Sequence, residues 1–451
     1  MLELLLELTR AIVRRTRGLR FGDLPAEIRA LARQCILDSV AVGLAGGDDP
    51  LVRMLLAEAE EAGGAGQASV WGSGVRLPAG AAALVNGTMA HALDYDDVNL
   101  AMPGHPSVAV LPAVLALGEA RGASGAEVMT AFVVGYEVAC RVGRAIAPGH
   151  YDVLGFHSTG TVGTFGAAAG CAHLLGLDEE QTLHALGIAA TQAAGLKSMF
   201  GTMCKPLHAG RAAQNGLLAA KLAARGFVSR VDSLECRQGF AATHSPDFWP
   251  ERALEEPAGG WHIRANLFKY HAACYLTHAG IEAARMLRGR PGVTAERIAA
   301  ITLRVDESTD RVCNIAEPVT GLEAKFSHRL TAAMALAGLE TSALGTFSAA
   351  VAGDPRVVAL RDRVSVELVP GFGQTHAAMD IRLVDQTTLS AEHDAGVPAA
   401  DVAQQGVRIR EKFDGLVAPV LGAARGAALG EALDGFEQAA SVTPLAALWA
   451  G

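Results

Sequence analysis

Residues 81–120, AAALVNGTMAHALDYDDVNLAMPGHPSVAVLPAVLALGEA, place an acid-rich loop between two Ala-rich apolar runs. Each run carries little but small and aliphatic side chains over several turns' length, so both read as helices buried on most sides. Between them, Pro103, Gly104 and Pro106 make a loop, because Pro lacks a donor and Gly admits positive φ. The sixteen positions from His91 to Pro106 hold Asp94, Asp96 and Asp97 together with His91 and His105. A polar loop gripped by buried helices suits proton transfer. A solvated, helix-capping turn uses the same residue types, and this stretch alone supports both readings equally.

Outward from this loop the helical pattern extends from the start of the chain to about residue 260. Asp23 and Pro25 mark a helix start, and AEIRALARQCILDSVAVGLAGG stops at Gly46-Gly47. GASGAEVMTAFVVGYEVACRVGRAIAPG (122–149) is another long apolar helix with a Ser/Gly start. In GFHSTGTVGTFGAAAGCAHLLGL (155–177), Gly160, Gly163, Gly166 and Gly170 recur at helical spacing. They make one face nearly flat, as where two helix backbones touch. After about residue 295 the period changes. Ile301, Leu303 and Val305 alternate with Thr302, Arg304 and Asp306, and the same holds for Val364, Val366 and Leu368 and for Met379, Ile381 and Leu383. Period two means strands with one covered face, and the helical segments between them suggest a small α+β unit. From about 400 the helical pattern returns. The expected fold is mainly α: a large all-helical domain from residues 1–264 and 395–451, with a smaller α+β domain, 265–394, inserted.

With 451 residues there is ample chain for such a core. Half the residues are hydrophobic and only 19% are charged, which leaves apolar surface for an oligomer interface. A net charge of −9 argues against a nucleic-acid or anionic-membrane partner. The seven cysteines, 35, 140, 171, 204, 236, 274 and 313, are odd in number and show no metal spacing, as expected of reduced thiols in the cytoplasm. The opening MLELLLELTRAIVRRTRGL reads as an amphipathic helix rather than a signal peptide, and no apolar run reaches a membrane-spanning length. Only Lys197, Lys205, Lys221, Lys269, Lys325 and Lys412 are lysines, so each is conspicuous.

Three further stretches carry unusual polar residues. In Gly155–Thr159, Ser158 or Thr159 is placed to cap the next helix, which sets His157 at its positive end. MFGTMCKPLHAGRAAQNG holds Lys205, His208 and Arg211 in seven residues, with Pro206 and Gly210 expected to force turns. ANLFKYHAACYLTH carries Lys269, His271, Cys274 and His278. A lone Lys or His is usually an ordinary satisfied residue; three clusters, each on a loop beside an apolar helix, point instead to a site for carboxylates. Two other readings use the same residues. Asp94-Tyr95-Asp96-Asp97 matches the DxDD acid of helical terpene cyclases, but those pockets steady carbocations with aromatic rings, and only 5% of this chain is aromatic. A divalent ion on Asp94, Asp96, Asp97 and His105 needs the loop to curl until its oxygens converge, so a metal-free site is the stronger expectation.

At these residues the chain resembles the MmgE/PrpD family, which includes 2-methylcitrate dehydratase, cis-aconitate decarboxylase and iminodisuccinate epimerase. The matching stretches are LDSVAVGLAGG, ALVNGTMAHALDYDDVN, GHPSVAVLPAVLALGE, GYEVACRVG, GFHSTGTVGTFGAAAG, KPLHAGRAAQNG and FKYHAACYLTH, spread in order over residues 37–278. The resemblance implies a helical domain closed by an α+β lid, a homodimer, and no cofactor. It implies catalytic roles for Asp94, His105, His157, Lys205 and Lys269, and substrate contacts at His208, Arg211, Tyr270 and Cys274. Decarboxylase-type members carry Thr at the position of Val98 and His at that of Cys274, so two polar groups are missing here. The function expected is a cofactor-independent lyase, of the hydro-lyase type, that transfers a proton at the carbon next to a carboxylate of a small di- or tricarboxylic acid. The lysines would stabilise developing negative charge, and His157 or His105 would serve as base or acid. An epimerase of a small dicarboxylate is the alternative within this chemistry. A non-catalytic helical binding protein is the alternative outside it, and it predicts no gathering of these loops.

Overall fold

The computed structural model describes residues 7–450, and the chain is mainly α. It divides into two compact units, Met1–Phe268 with Ala400–Gly451, and Lys269–Ala399. The helical tail therefore belongs with the N-terminal helices. The divisions fall at 268/269 and 399/400, against 264/265 and 394/395 read from the pattern.

The first unit is built on α1 (Ala26–Gly46), α2 (Ala79–His91), α3 (Pro106–Arg121), α4 (Gly125–Ile146), α5 (Ser158–Leu174) and α6 (Cys204–Ala223). Helix α5 is central and packs on α3, α4 and α6. Small residues set these distances. A Cβ added at Gly135 of α4 would lie 2.5 Å from the Gly166 carbonyl oxygen, and one added at Gly166 would lie 2.7 Å from that of Gly135. Two backbones thus meet with nothing between them, and the flat glycine face is a packing face. The capping box of Ser124 and Glu127 starts α4 where the sequence places a start. Ahead of α1, the helix Leu8–Thr16 buries Ile12 and Val13 and exposes Arg14 and Arg15; residues 1–6 of that expected amphipathic helix lie outside the described residues. Among the described residues no helix is long and apolar enough to cross a membrane.

One local expectation needs correcting. Pro206 and Gly210 force no turns, because α6 runs continuously from Cys204 to Ala223. Pro206 lies in the first turn, where a missing N–H costs no hydrogen bond. Gly210 lets α6 approach the backbone of α2 at Leu84 and Thr88.

The second unit holds a four-stranded sheet, β1 (Ile298–Asp306), β2 (Val364–Val369), β3 (His376–Leu383) and β4 (Thr388–Asp394), in the order β2-β1-β3-β4. The pair β1 and β2 is parallel, and the other two pairs are antiparallel. Ile301, Leu303 and Val305 of β1 are buried along with Met379, Ile381 and Leu383 of β3, as period two requires. Helix α7 (His278–Arg288) packs on β3, β4 and α8 (His328–Leu336). Strand β4 was not anticipated; it is an edge strand in which only Ala391 is buried, so its apolar alternation is faint.

Candidate active site

Three helix starts meet in the first unit. His105 is the N-cap residue of α3 and His157 that of α5, and Lys205 stands in the first turn of α6. Neither Ser158 nor Thr159 caps α5, since His157 itself occupies the cap. Thr159 Oγ1 instead accepts the backbone N–H of His105 at 3.1 Å, which ties the start of α3 to the start of α5. Each helix start presents unsatisfied N–H groups and a partial positive charge. Such ends are sites for anions, carboxylates included.

The side chains form a closed circuit. Lys205 Nζ lies 2.8 Å from Asp94 Oδ1, and that oxygen is 3.9 Å from His105 Nε2. His105 Nδ1 lies 2.8 Å from Asp96 Oδ2. His91 Nδ1 contacts both oxygens of Asp96, at 2.9 and 3.1 Å. The His91 ring stacks on that of His157, with centroids 5.8 Å apart. His157 Nδ1 is 3.0 Å from His208 Nδ1, and His208 shares α6 with Lys205, closing the ring. Asp94 makes this possible with a left-handed backbone, φ 50°, a conformation Asp tolerates better than most residues. The turn brings Asp94 and Asp96 to one cluster.

Burial sets most of the charges. It pushes His91 down to about 4, against the pull of Asp96, so this imidazole is neutral near pH 7. It also pushes His157 well below the usual imidazole range, with His91 and Lys205 adding to the effect. Burial would raise the Asp96 carboxyl, but the fields and hydrogen bonds of His91 and His105 outweigh it and hold Asp96 well below the usual carboxylate range. The cluster is therefore an ionised carboxylate, a neutral His157–His91 stack and a Lys–Asp pair, under three positive helix ends.

A buried layer supports the loop from behind. Lys412, on α9 (Val402–Leu421), lies 2.6 Å from Asp38 Oδ1 and donates to the Tyr95 carbonyl at 2.7 Å. Its ammonium also sits 3.9 Å from the centre of the Tyr95 ring, a favourable place for a cation. Ser107 Oγ donates to Asp97 at 2.5 Å. Burial, with Asp38 nearby, pushes the Asp97 carboxyl up to about 7. The folded protein thus holds this proton more tightly than the unfolded chain, where Asp titrates near ~3.9. Stability from Asp97 is full below the lower value and is lost as pH rises towards the upper one. Asp97→Asn keeps the shape of the neutral form and should abolish that loss. The variant's stability from urea unfolding is expected to gain on the native protein's between pH 4 and pH 7, by at most ~1.4 kcal/mol per pH unit. Equal differences at pH 4 and pH 8 would contradict this.

Of the residues singled out from sequence, Asp94, His105, His157, Lys205 and His208 are brought together. Arg211 is not: it is exposed and hydrogen-bonds Gln214 Oε1 at 2.6 Å. Lys269, Tyr270 and Cys274 belong to the second unit. Lys269 is buried, whereas Tyr270 and Cys274 are half-buried. Lys269 follows closely on Leu267, whose backbone pairs with Val98 through two hydrogen bonds of 2.8 Å. Sequence reasoning missed the roles of Asp96 and His91, although both stand in the quoted loop. Asp96 lies against both His91 and His105, while Asp94 pairs with Lys205. The metal alternative changes too. His91, Asp94, Asp96 and His105 have ligand atoms within 4.8 Å of one another, but Asp97 faces Ser107 instead. In that set Asp94 meets the Lys205 ammonium and Asp96 meets ring nitrogens of His91 and His105.

Residues 10–253 match the MmgE/PrpD N-terminal domain and residues 271–435 the MmgE/PrpD C-terminal domain. The chain is similar to human (Homo sapiens) cis-aconitate decarboxylase, at 30% identity over 411 residues, covering 87% of this chain and 84% of that protein. It is also similar to the cis-aconitate decarboxylase-like protein oryM of Aspergillus oryzae, at 32% identity over 60% of this chain and 59% of the relative. The cis-aconitate decarboxylase of Aspergillus terreus is 32% identical over 60% of this chain and 58% of its own length. Against the two fungal proteins the match therefore spans less than two thirds of the relative.

Proposed function

This chain belongs to the MmgE/PrpD family and is an enzyme of the lyase type, and on that footing we propose that it makes or breaks a C–H bond next to a carboxylate of a small di- or tricarboxylic acid, with no metal or organic cofactor. The observation that carries this reading is the meeting of three helix starts and Lys205 on one His/Asp cluster. A carbon acid of this kind is weak, so the site must steady negative charge spreading onto the carboxylate. Fixed dipoles and an ammonium in a buried setting do so with little reorganisation. His105 is the base: Asp96 lies against its Nδ1, and its Nε2 faces the Asp94–Lys205 pair. His157, neutral and on a helix start, is a hydrogen-bond donor to the substrate.

Within the lyases we place loss of water first. The base takes the proton from carbon, the electron pair forms the new C=C bond, and the hydroxyl leaves the neighbouring carbon as water with a second proton from the site. Val98 and Cys274, where decarboxylase-type members carry Thr and His, support this choice. The second reading is a carboxy-lyase, and what favours it is the printed activity of the relatives. The test is a panel of citrate-like, aconitate-like and aspartate-like acids with the products identified. A hydro-lyase gives an alkene with rising ultraviolet absorbance, a carboxy-lyase releases CO₂, and an epimerase inverts a centre with neither. CO₂ from an aconitate-like acid would replace the first reading with the second.

A further inference from the structure

A carboxylate can only accept hydrogen bonds, and Asp96 faces two ring nitrogens with its two oxygens. His91 Nδ1 lies 2.9 Å from Oδ1 and 3.1 Å from Oδ2, and His105 Nδ1 lies 2.8 Å from Oδ2. The carboxylate is fully buried, so water does not compete for its oxygens. A proton on His91 Nδ1 completes its hydrogen bond to the carboxylate, and a proton on His105 Nδ1 is what the short contact with Oδ2 favours. In a neutral imidazole that leaves the lone pair on Nε2. For His91 the far nitrogen agrees, since Nε2 is buried and has no hydrogen-bond partner. For His105 the ring is turned off the ideal line although the distance is short; such bonds often tighten when substrate binds.

The two rings enter from different elements, His91 from the last turn of α2 and His105 from the cap of α3. Asp96 lies five residues after the first and nine before the second. One side chain thus fixes the tautomer of both rings and the angle between them, with centroids 4.5 Å apart.

We propose that Asp96 is a positioning residue that holds His91 and His105 together in the Nδ1–H tautomer, so that His105 presents an unprotonated Nε2 to the substrate. His91 is the second half of the clamp: it occupies the other share of the carboxylate and stops Asp96 from rotating away from His105. The kinetic consequences rest on the proton-transfer reading above, whereas the tautomers do not.

Asparagine at this position makes a sharp test. Its carboxamide replaces one of the two oxygens by a donor NH₂, which stands against His91 Nδ1–H from the Oδ1 place, or against both Nδ1–H groups from the Oδ2 place, and drives a ring it faces to the wrong tautomer. Asp96→Asn should lower kcat about 10²–10⁴-fold, as expected when a general base is mis-set, with KM changed less than about threefold on the same reasoning. Asp96→Glu keeps two acceptor oxygens and should retain more activity than Asp96→Asn. Adding His91→Ala to Asp96→Asn removes one claimant, leaves the lone acceptor to His105, and should recover part of the lost kcat. A merely structural Asp96 gives no such rescue.

The tautomers can be read without turnover, by ¹⁵N NMR of ¹⁵N-histidine-labelled native protein, with His91→Ala and His105→Ala used for assignment. The expected result is Nδ1–H for both rings. An Nε2–H signal for neutral His105 would overturn the proposal whether or not any acid reacts. Full activity of Asp96→Asn on a substrate the native enzyme turns over would overturn it equally. Inactivity of the native enzyme on every acid tested, with both rings Nδ1–H, would count against the functional reading and leave the clamp standing. Should Asp96→Asn fail to fold, Asp96→Glu and the native spectrum carry the test.

Discussion

Replacing His105 by Ala is expected to lower kcat about 10²–10⁴-fold, the range for loss of a general base, with a much smaller change in KM. The reason is geometric. His105 is the histidine whose two nitrogens face different carboxylates, Asp96 at 2.8 Å and Asp94 at 3.9 Å. One side anchors the ring and the other meets the Lys205 pair. Its backbone is fixed as well, through Thr159 and the N-cap of α3. Among the described residues no carboxylate is seen paired with His157; it leans on His208 and on the edge of Phe200, with centroids 4.9 Å apart. Steady-state kinetics of both alanine variants decides between them: a normal kcat for His105→Ala with a collapse for His157→Ala would move the base to His157.

The largest structural effect is expected far from the loop in sequence. Lys412→Met should cost about 3–5 kcal/mol in urea unfolding, as when one member of a buried ion pair is removed. Lys412 and Asp38 are both buried, so the carboxylate would be left without the ammonium that faces it. The same substitution removes the ammonium that donates to the Tyr95 carbonyl between Asp94 and Asp96, so activity should fall even where the protein is fully folded. Making Asp38 apolar too should restore most of the stability, because an apolar pair of similar volume is often neutral. It should not restore activity, because the anchor on Tyr95 is still missing. A single variant within about 1 kcal/mol of the native protein, below the cost of breaking a buried pair, would refute the anchor.

That anchor shows what could and could not be read from the chain. The flanking helices were legible because their apolar runs are long and the loop's Pro and Gly residues are unambiguous. The strands around Leu303 and Ile381 were legible from period two. Candidate residues on separate loops could be named because Lys and His are conspicuous beside apolar helices. What could not be read was partnership. Lys412 stood out as a rare lysine, but its pairing with Asp38, from the far end of the chain, exists only once α9 folds onto α1. Asp94 and Asp96 look equivalent in the loop, and only the left-handed turn at Asp94 sends one to Lys205 and the other to two imidazoles. Pro206 and Gly210 look like breakers until the first-turn position of one and the close contact of the other are known.

The most direct test of the central claim is the position of deuterium after reaction in D₂O. The native protein should label a di- or tricarboxylic acid, or the product from it, at the carbon next to a carboxylate, read by mass spectrometry and NMR. With His105→Ala the labelling rate should fall at least about 10²-fold. Labelling at that carbon with an undiminished rate in His105→Ala, or no labelling of any such acid by folded native protein, would contradict the account.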